Sequence, residues 1–293
     1  MDQLLDATAA YGGKFAHPAI DGVHVLAPPM RTLSQGGGAV SAGMSVVVGS
    51  TTNESTFFLP PDLNLSAADF ESALGSMLNN ASMLDEALVL YPPVQTGSNR
   101  NLLAQAQTHQ LLQCASLRVG LAFASSSSFS SSSSSTTTGS SVGSAHAYHF
   151  DSPDECEFAV DDYGVPHTAE LPYVFDSWNR SACGPTPAED LLARTMRDIW
   201  RSFAATGTTG HTTRTANPSP GSVVGSSVER RMPSRSKTPA GAEALRVSDS
   251  WPALTADGDV LEYHLVPGSG PYDVETARDQ DFCDFWARDS EFA

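Results

Sequence analysis

Two stretches of this chain cannot contribute to a hydrophobic core, and they dictate how any core must be assembled. Residues 125 to 144 are almost all Ser, Thr and Gly. Residues 206 to 248 are rich in Gly, Thr, Ser and Pro and carry a basic cluster, Arg230, Arg231, Arg235 and Lys237. Segments of this composition bury too little apolar surface to offset the entropy of ordering them. Both read as disordered surface insertions, and the basic cluster as a solvated loop. A folded domain must then be put together from residues 1–124, 145–205 and 249–293.

Those three pieces alternate strand and helix signals. Met44 to Val48 is a valine-rich run ending at Gly49 and suits a strand buried on both faces of a parallel sheet. Ser66 opens a helix with Asp69 three residues on, and Phe70, Leu74, Met77 and Leu78 fall on one face of it. Leu102 to Cys114 predicts a second helix. Ala145 to Phe150 alternates, with His146, Tyr148 and Phe150 on one face, and predicts a strand. Thr186 caps a third helix, with Pro187 in its first turn, Glu189 completing a capping box and Gly207 ending it. Leu192, Met196, Ile199 and Phe203 are its buried face. Val260 to Leu265 is a late strand. Interleaved elements of this kind define the α/β class.

Bulk properties exclude several functions. The chain has 293 residues, 40% hydrophobic, with a formal net charge of −17. An acidic surface repels phosphate, so nucleic acid is not an expected partner. No apolar run is long enough to cross a bilayer. Met1 to Phe15 lacks the basic start and apolar stretch of a signal peptide. The cysteines Cys114, Cys156, Cys183 and Cys283 form no CxxC pair, and as isolated residues they fit buried thiols or two disulfides equally. Sequons at Asn53, Asn64, Asn80 and Asn179, with the even cysteine count, point to a secretory history and to a leader upstream of Met1. The acidic residues Asp151, Asp154, Glu155, Asp161 and Asp162 lack metal-ligand spacing and read as a solvated loop. No cofactor or metal is expected.

The segment richest in chemistry is Pro166-His167-Thr168-Ala169-Glu170-Leu171-Pro172-Tyr173-Val174-Phe175. It resembles the His-Gly-x-Glu-Leu-x-Tyr-Val-Phe motif of type B carboxylesterases and cholinesterases, α/β-hydrolases in which this His is the general base. Other pieces are similar to the same family in the same order. They are Pro18-Ala19-Ile20-Asp21-Gly22, the strand and loop Val47 to Phe58 that carries the acid at Glu54, the late helix Met196 to Ala204, and the closing motifs Trp251 to Leu254 and Cys283 to Trp286. The resemblance implies the C-terminal half of an incomplete α/β-hydrolase fold. It also implies an ester-hydrolysing triad in which Glu54 orients His167, and a disulfide between Cys114 and Cys283. Cys156 and Cys183 flank the His167 loop, where a second local bridge and two free thiols both fit. Trp200, Trp251 and Trp286 read as core.

Glu54 follows a buried strand, at the carboxyl end where open α/β sheets form their ligand crevices. A carboxylate there can bond one imidazole nitrogen, fix the tautomer and stabilise the imidazolium. With Glu54 buried beside His167, the sequon at Asn53 is expected to stay unmodified. Two residues depart from the family pattern. Ser55 and Thr168 stand where the family usually has Gly, which permits close backbone approach or unusual dihedrals. The family's serine elbow precedes the acid, and nothing before Glu54 fits it; Gly36-Gly37-Gly38 reads as a loop. Gly139-Ser140-Ser141-Val142-Gly143 satisfies the elbow pattern but lies inside the Ser tract, after no strand and between acid and His, so Ser141 is not expected to be the nucleophile. Three readings follow: a carboxylic ester hydrolase, taking a small ester, whose serine lies elsewhere; a non-catalytic, cholinesterase-like interaction protein; and an inactive fragment that does not fold alone.

Overall fold

A computed structural model describes residues 19–34, 44–130, 143–152, 163–178, 184–209, 251–255, 261–265, 273–276 and 279–290. Four strands form one sheet in the order β1-β2-β3-β4: β1 (Val46–Thr51), β2 (Ala145–Phe150), β3 (Leu261–Leu265) and β4 (Asp273–Thr276). The first three are parallel, with Val46 opposite Ala145 and Ala147 opposite Glu262; β4 is antiparallel to β3. Parallel neighbours need crossovers, and helices supply them. After the short helix α1 (Pro29–Ser34), the helices between β1 and β2 are α2 (Ala67–Met77), α3 (Leu84–Leu90), α4 (Arg100–Thr108) and α5 (Cys114–Ser130). Between β2 and β3 lie α6 (Leu171–Phe175) and α7 (Pro187–Thr206), and α8 (Gln280–Asp289) follows β4.

The period-2 pattern sorts the sheet's side chains onto two covered faces. On one, Val47, Tyr148 and Phe150 pack with Leu192, Met196 and Ile199 of α7. On the other, Val46, Val48, Ala145 and Ala147 pack with Leu117, Leu121 and Ala124 of α5. A third cluster, around Phe70, Leu74, Tyr91, Phe285 and Trp286, joins α2 and α3 to α8. The disulfide Cys114–Cys283 ties α5 to α8 across a sequence separation of 169 residues. Cys156 and Cys183 lie outside the described residues.

Local signals placed the helix starts. The Ser66 hydroxyl accepts from the Asp69 N–H and the Asp69 carboxylate accepts from the Ser66 N–H. Thr186 and Glu189 repeat this reciprocal pair at α7, which ends at Gly207 with φ +71°. Phe70 and Leu74 are fully buried, as are Met196 and Ile199. The segment Trp251 to Leu254 lies along β2, where the Trp251 indole N–H donates to the Ala147 carbonyl at 2.9 Å.

Three expectations need correction. The helix predicted to end at Cys114 runs on from Arg100 to Ser130 through a π turn at His109–Gln113. Leu117, Leu121 and Ala124 keep its apolar face against the sheet, so the helix carries the first serines of the Ser-rich tract with it. At the tract's other end the Ser144 carbonyl accepts from the Val46 N–H at 2.8 Å. Finally, Gly49 does not end β1. It sits mid-strand because the Tyr148 ring lies over it: a Cβ there would stand 2.3 Å from a ring carbon. The strand continues to Thr51.

Candidate active site

Glu54 and His167 meet, although 113 residues separate them. The chain leaves β1 at Thr51 and tightens into a 3-10 turn, Glu54–Phe58, whose first residue is the acid. Glu54 is 5% exposed. Its Oε1 accepts the Thr51 N–H at 2.8 Å and its Oε2 lies 2.6 Å from His167 Nδ1. Both carboxylate oxygens are thereby engaged. The His167 side chain stays 41% exposed, and its Nε2 has no hydrogen-bond partner among the described residues. The Phe58 ring lies 5.3 Å from the imidazole, centroid to centroid.

The two loops are fastened by their backbones. Asn53 exchanges two bonds with Val165: its N–H donates to the Val165 carbonyl at 2.9 Å, and its side-chain Oδ1 accepts the Val165 N–H at 2.9 Å. The His167 N–H donates to the Glu54 carbonyl at 3.3 Å. The Thr56 hydroxyl reaches the Tyr163 carbonyl at 2.7 Å. Asn53, read from sequence as a sequon, thus has its side-chain oxygen committed to the His loop. Gly164, at φ +64°, makes room for it, since a Cβ there would lie 2.1 Å from the Asn53 Oδ1.

The two departures from the family glycines have different consequences. Thr168 takes φ +76°, left-handed backbone that a β-branched residue adopts only under strain. Ser55 is fully buried; its N–H donates to the Thr108 hydroxyl at 3.0 Å, while its own hydroxyl finds no partner among the described residues. Neither side chain separates Glu54 from His167.

Further charge surrounds the pair. Glu170 is partly buried, and its Oε2 has no hydrogen-bond partner among the described residues. Burial pushes its carboxyl above the ordinary range, the Glu54 charge pushes the same way, and His167 partly offsets both. Burial, then Glu170 and Glu54, likewise hold the Tyr148 phenol above its usual value, so it stays protonated. At the end of β2, the Thr52 hydroxyl donates to Asp151 Oδ1 at 2.6 Å and lies 3.0 Å from His149 Nε2. Asp151, read as part of a solvated acidic loop, therefore ties the end of β2 to the chain leaving β1; the other acidic residues of that cluster lie outside the described residues. A groove of about 730 Å³ between α3 and α8, lined by Glu86, Asp281, Asp284 and Arg288, includes none of these residues. Ser141 lies outside the described residues. Among the described residues no helix is long and apolar enough to cross a membrane.

A mainly parallel sheet covered by helices, with an acid just past one strand and a His-bearing loop bonded to it, defines an α/β-hydrolase-like protein. The chain belongs to the carboxylesterase family, whose model matches residues 2–286. It is 26% identical over 196 residues to the inactive carboxylesterase-like protein VdtD of Byssochlamys spectabilis, covering 64% of this chain and 33% of that protein. It is 24% identical over 198 residues to the para-nitrobenzyl esterase of Bacillus subtilis (strain 168), covering 66% of this chain and 35% of that one. Among solved structures, a thermophilic PNB esterase superposes with a TM-score of 0.60 at 20% identity, covering 97% of this chain and 46% of the other. A second PNB esterase gives 0.59 at 18%, covering 93% and 44%. These structures share the α/β-hydrolase fold with this chain, which spans about a third of the length of the curated relatives and under half of the solved ones.

Sequence reasoning missed Thr56, Arg100 and Thr108, and saw Asn53 only as a sequon. Arg100 left one trace: it is in phase with Leu103, Ala104 and Thr108 on the helix face that is buried.

Proposed function

We propose that this chain supplies the acid and base of a serine carboxylic-ester hydrolase, and that the nucleophilic serine and oxyanion donors come from polypeptide outside it. The observation that carries the reading is the 2.6 Å contact between Glu54 Oε2 and His167 Nδ1, with Nε2 left available. Glu54 accepts the Nδ1 proton and so holds the tautomer in which Nε2 is basic. A serine hydroxyl placed against Nε2 loses its proton to His167 as its oxygen attacks the ester carbonyl. His167 then returns that proton to the departing alcohol. Water, deprotonated by the same nitrogen, releases the acid and regenerates the serine. The buried, doubly bonded Glu54 stabilises the imidazolium in both half-reactions.

The test joins this chain to a serine-bearing segment and measures hydrolysis of a p-nitrophenyl ester. Glu54→Gln and His167→Ala each lower kcat by about 10³–10⁴-fold; near-normal turnover in either refutes the assignment. The chain by itself takes no label from a fluorophosphonate, and labelling at Ser141 would overturn its exclusion. The likeness to a relative named inactive favours a second reading, a non-catalytic protein that keeps the scaffold. Absence of turnover in the joined, folded polypeptide would select it. The Cys114–Cys283 disulfide supports a secretory or other oxidising compartment.

A further inference from the structure

We propose that Arg100 is a positioning residue for the acid–histidine pair, acting through the backbone of the turn that carries Glu54. Arg100 is 4% exposed, and no carboxylate is bonded to it among the described residues. A buried guanidinium needs its donors satisfied. Here backbone carbonyls do most of that work, and they belong to one short stretch. Nε donates to the Pro60 carbonyl at 2.7 Å, and Nη2 donates to the Thr56 and Leu59 carbonyls, both at 2.8 Å. Thr56 lies within the 3-10 turn that begins at Glu54, and Leu59 is the residue that ends it. Carbonyls at the end of such a turn have no partner within it, and the positive fork collects three from the turn and its exit. Nη1 takes the Asn101 side-chain oxygen at 2.8 Å.

The same guanidinium reaches the other loop. Its carbon lies 5.7 Å from the centroid of the Tyr163 ring, within cation–π range, and Tyr163 is four residues before His167. The Tyr163 carbonyl accepts the Thr56 hydroxyl, so Arg100, the acid turn and the segment that leads to His167 form one connected unit. Helix α4 completes the grip at its far end, where the Thr108 hydroxyl accepts the Ser55 N–H. One rigid helix thus holds the residue after Glu54 and the carbonyls that end its turn. A lysine cannot substitute: a single ammonium lacks the planar fork that reaches three carbonyls and a ring together.

This inference rests on the proposed relay, and one experiment separates their failures. Histidine ring ¹⁵N and ¹H spectra of the full 293-residue chain report the His167 tautomer and its Nδ1 proton. A short bond to Glu54 places that proton far downfield, and His167→Ala assigns it. In Glu54→Gln the downfield resonance disappears; its persistence, or its absence from the wild type, would sink the relay itself. In Arg100→Lys, with the disulfide formed and unchanged circular dichroism, the resonance is expected to be lost or exchange-broadened and the two tautomers to mix. A merely structural role would lower thermal stability and leave the resonance where it was, which overturns the proposal. If Arg100→Lys does not fold, Thr108→Val, which loosens the same turn from the Ser55 side, is read instead. A smaller shift of the same resonance supports the splint, and an unmoved resonance rejects it.

Discussion

The acid turn and the histidine loop are built on opposite principles. Glu54 follows a strand directly, is buried, and has each carboxylate oxygen on a separate donor. Its turn is held by Arg100 and Thr108 from a helix that is itself cross-linked through Cys114. His167 sits outside any helix or strand, on a stretch that passes from Tyr163 through a left-handed Thr168 to the five-residue helix α6. Its ring is two-fifths exposed. The acid is fixed by the fold, and the histidine is fixed by the acid. Such an arrangement suits a relay in which the carboxylate must not move while the imidazole exchanges protons with a partner on its open side.

The largest test of that contrast is the disulfide. Closing a loop of this length contributes about 5 kcal/mol in the chain-entropy model. Replacing both Cys114 and Cys283 by Ser should lower stability by up to that amount in urea denaturation. The loss should be uneven. Amide hydrogen exchange is expected to accelerate at Ser55 and His109, on the side that α4 and α5 hold, while Tyr173 and Ile199 keep their protection. Equal acceleration on both sides would show that the two regions open as one unit and that the contrast is static only.

The parts of this architecture legible in sequence are those whose causes are local. Ser66 with Asp69, and Thr186 with Glu189, announce helix starts within four residues. The apolar alternation of Ala145 to Phe150 locates a strand. Glu54 and His167 were found through motif resemblance, since neither has a local signature that separates it from a surface acid or a structural His. What stayed hidden is long-range. Asn53 and Val165 are 112 residues apart, and a sequon carries no sign that its side-chain oxygen will cap another loop. Gly49 reads as a strand end because Gly is a common breaker; only the ring of Tyr148 on the next strand explains it. The run of helix beyond Cys114 is hidden for the same reason, because packing against the sheet, not the propensity of Ser, carries it past Ala124.

Thr168 probes the histidine side with a moderate effect. A β-branched residue in the left-handed region costs about 1–2 kcal/mol relative to Gly, and Gly returns part of that as unfolded-chain entropy. Thr168→Gly should therefore stabilise the chain by about 1 kcal/mol, read as a higher urea midpoint at unchanged slope. A lower midpoint would mean that the Thr side chain contributes packing that outweighs its backbone strain. The same change on the acid side, Ser55→Gly, relieves no positive φ and is not expected to stabilise through the backbone.

The smallest effect distinguishes two carboxylates, Glu54 and Glu170. Glu54 has a donor on each oxygen, whereas Glu170 Oε2 has no partner among the described residues and its carboxyl is pushed above its ordinary value, by burial first and by Glu54 next. The sign follows from linkage. In the folded chain Glu170 holds its proton to higher pH than in the unfolded chain. Below the ordinary value of 4.5 both states are protonated, and nothing is lost. As pH rises from there through the folded value, the unfolded chain ionises first and is favoured, so stability declines and then levels off. Glu170→Gln removes that decline. Relative to wild type, the variant should gain thermal stability between pH 4 and pH 8, with the difference growing as pH rises. A variant that instead loses ground toward pH 8 would show Glu170 ionised and paired in the folded state. Glu170 would then compete with Glu54 for the imidazolium of His167, and the division between a fixed acid and a dependent base would no longer hold.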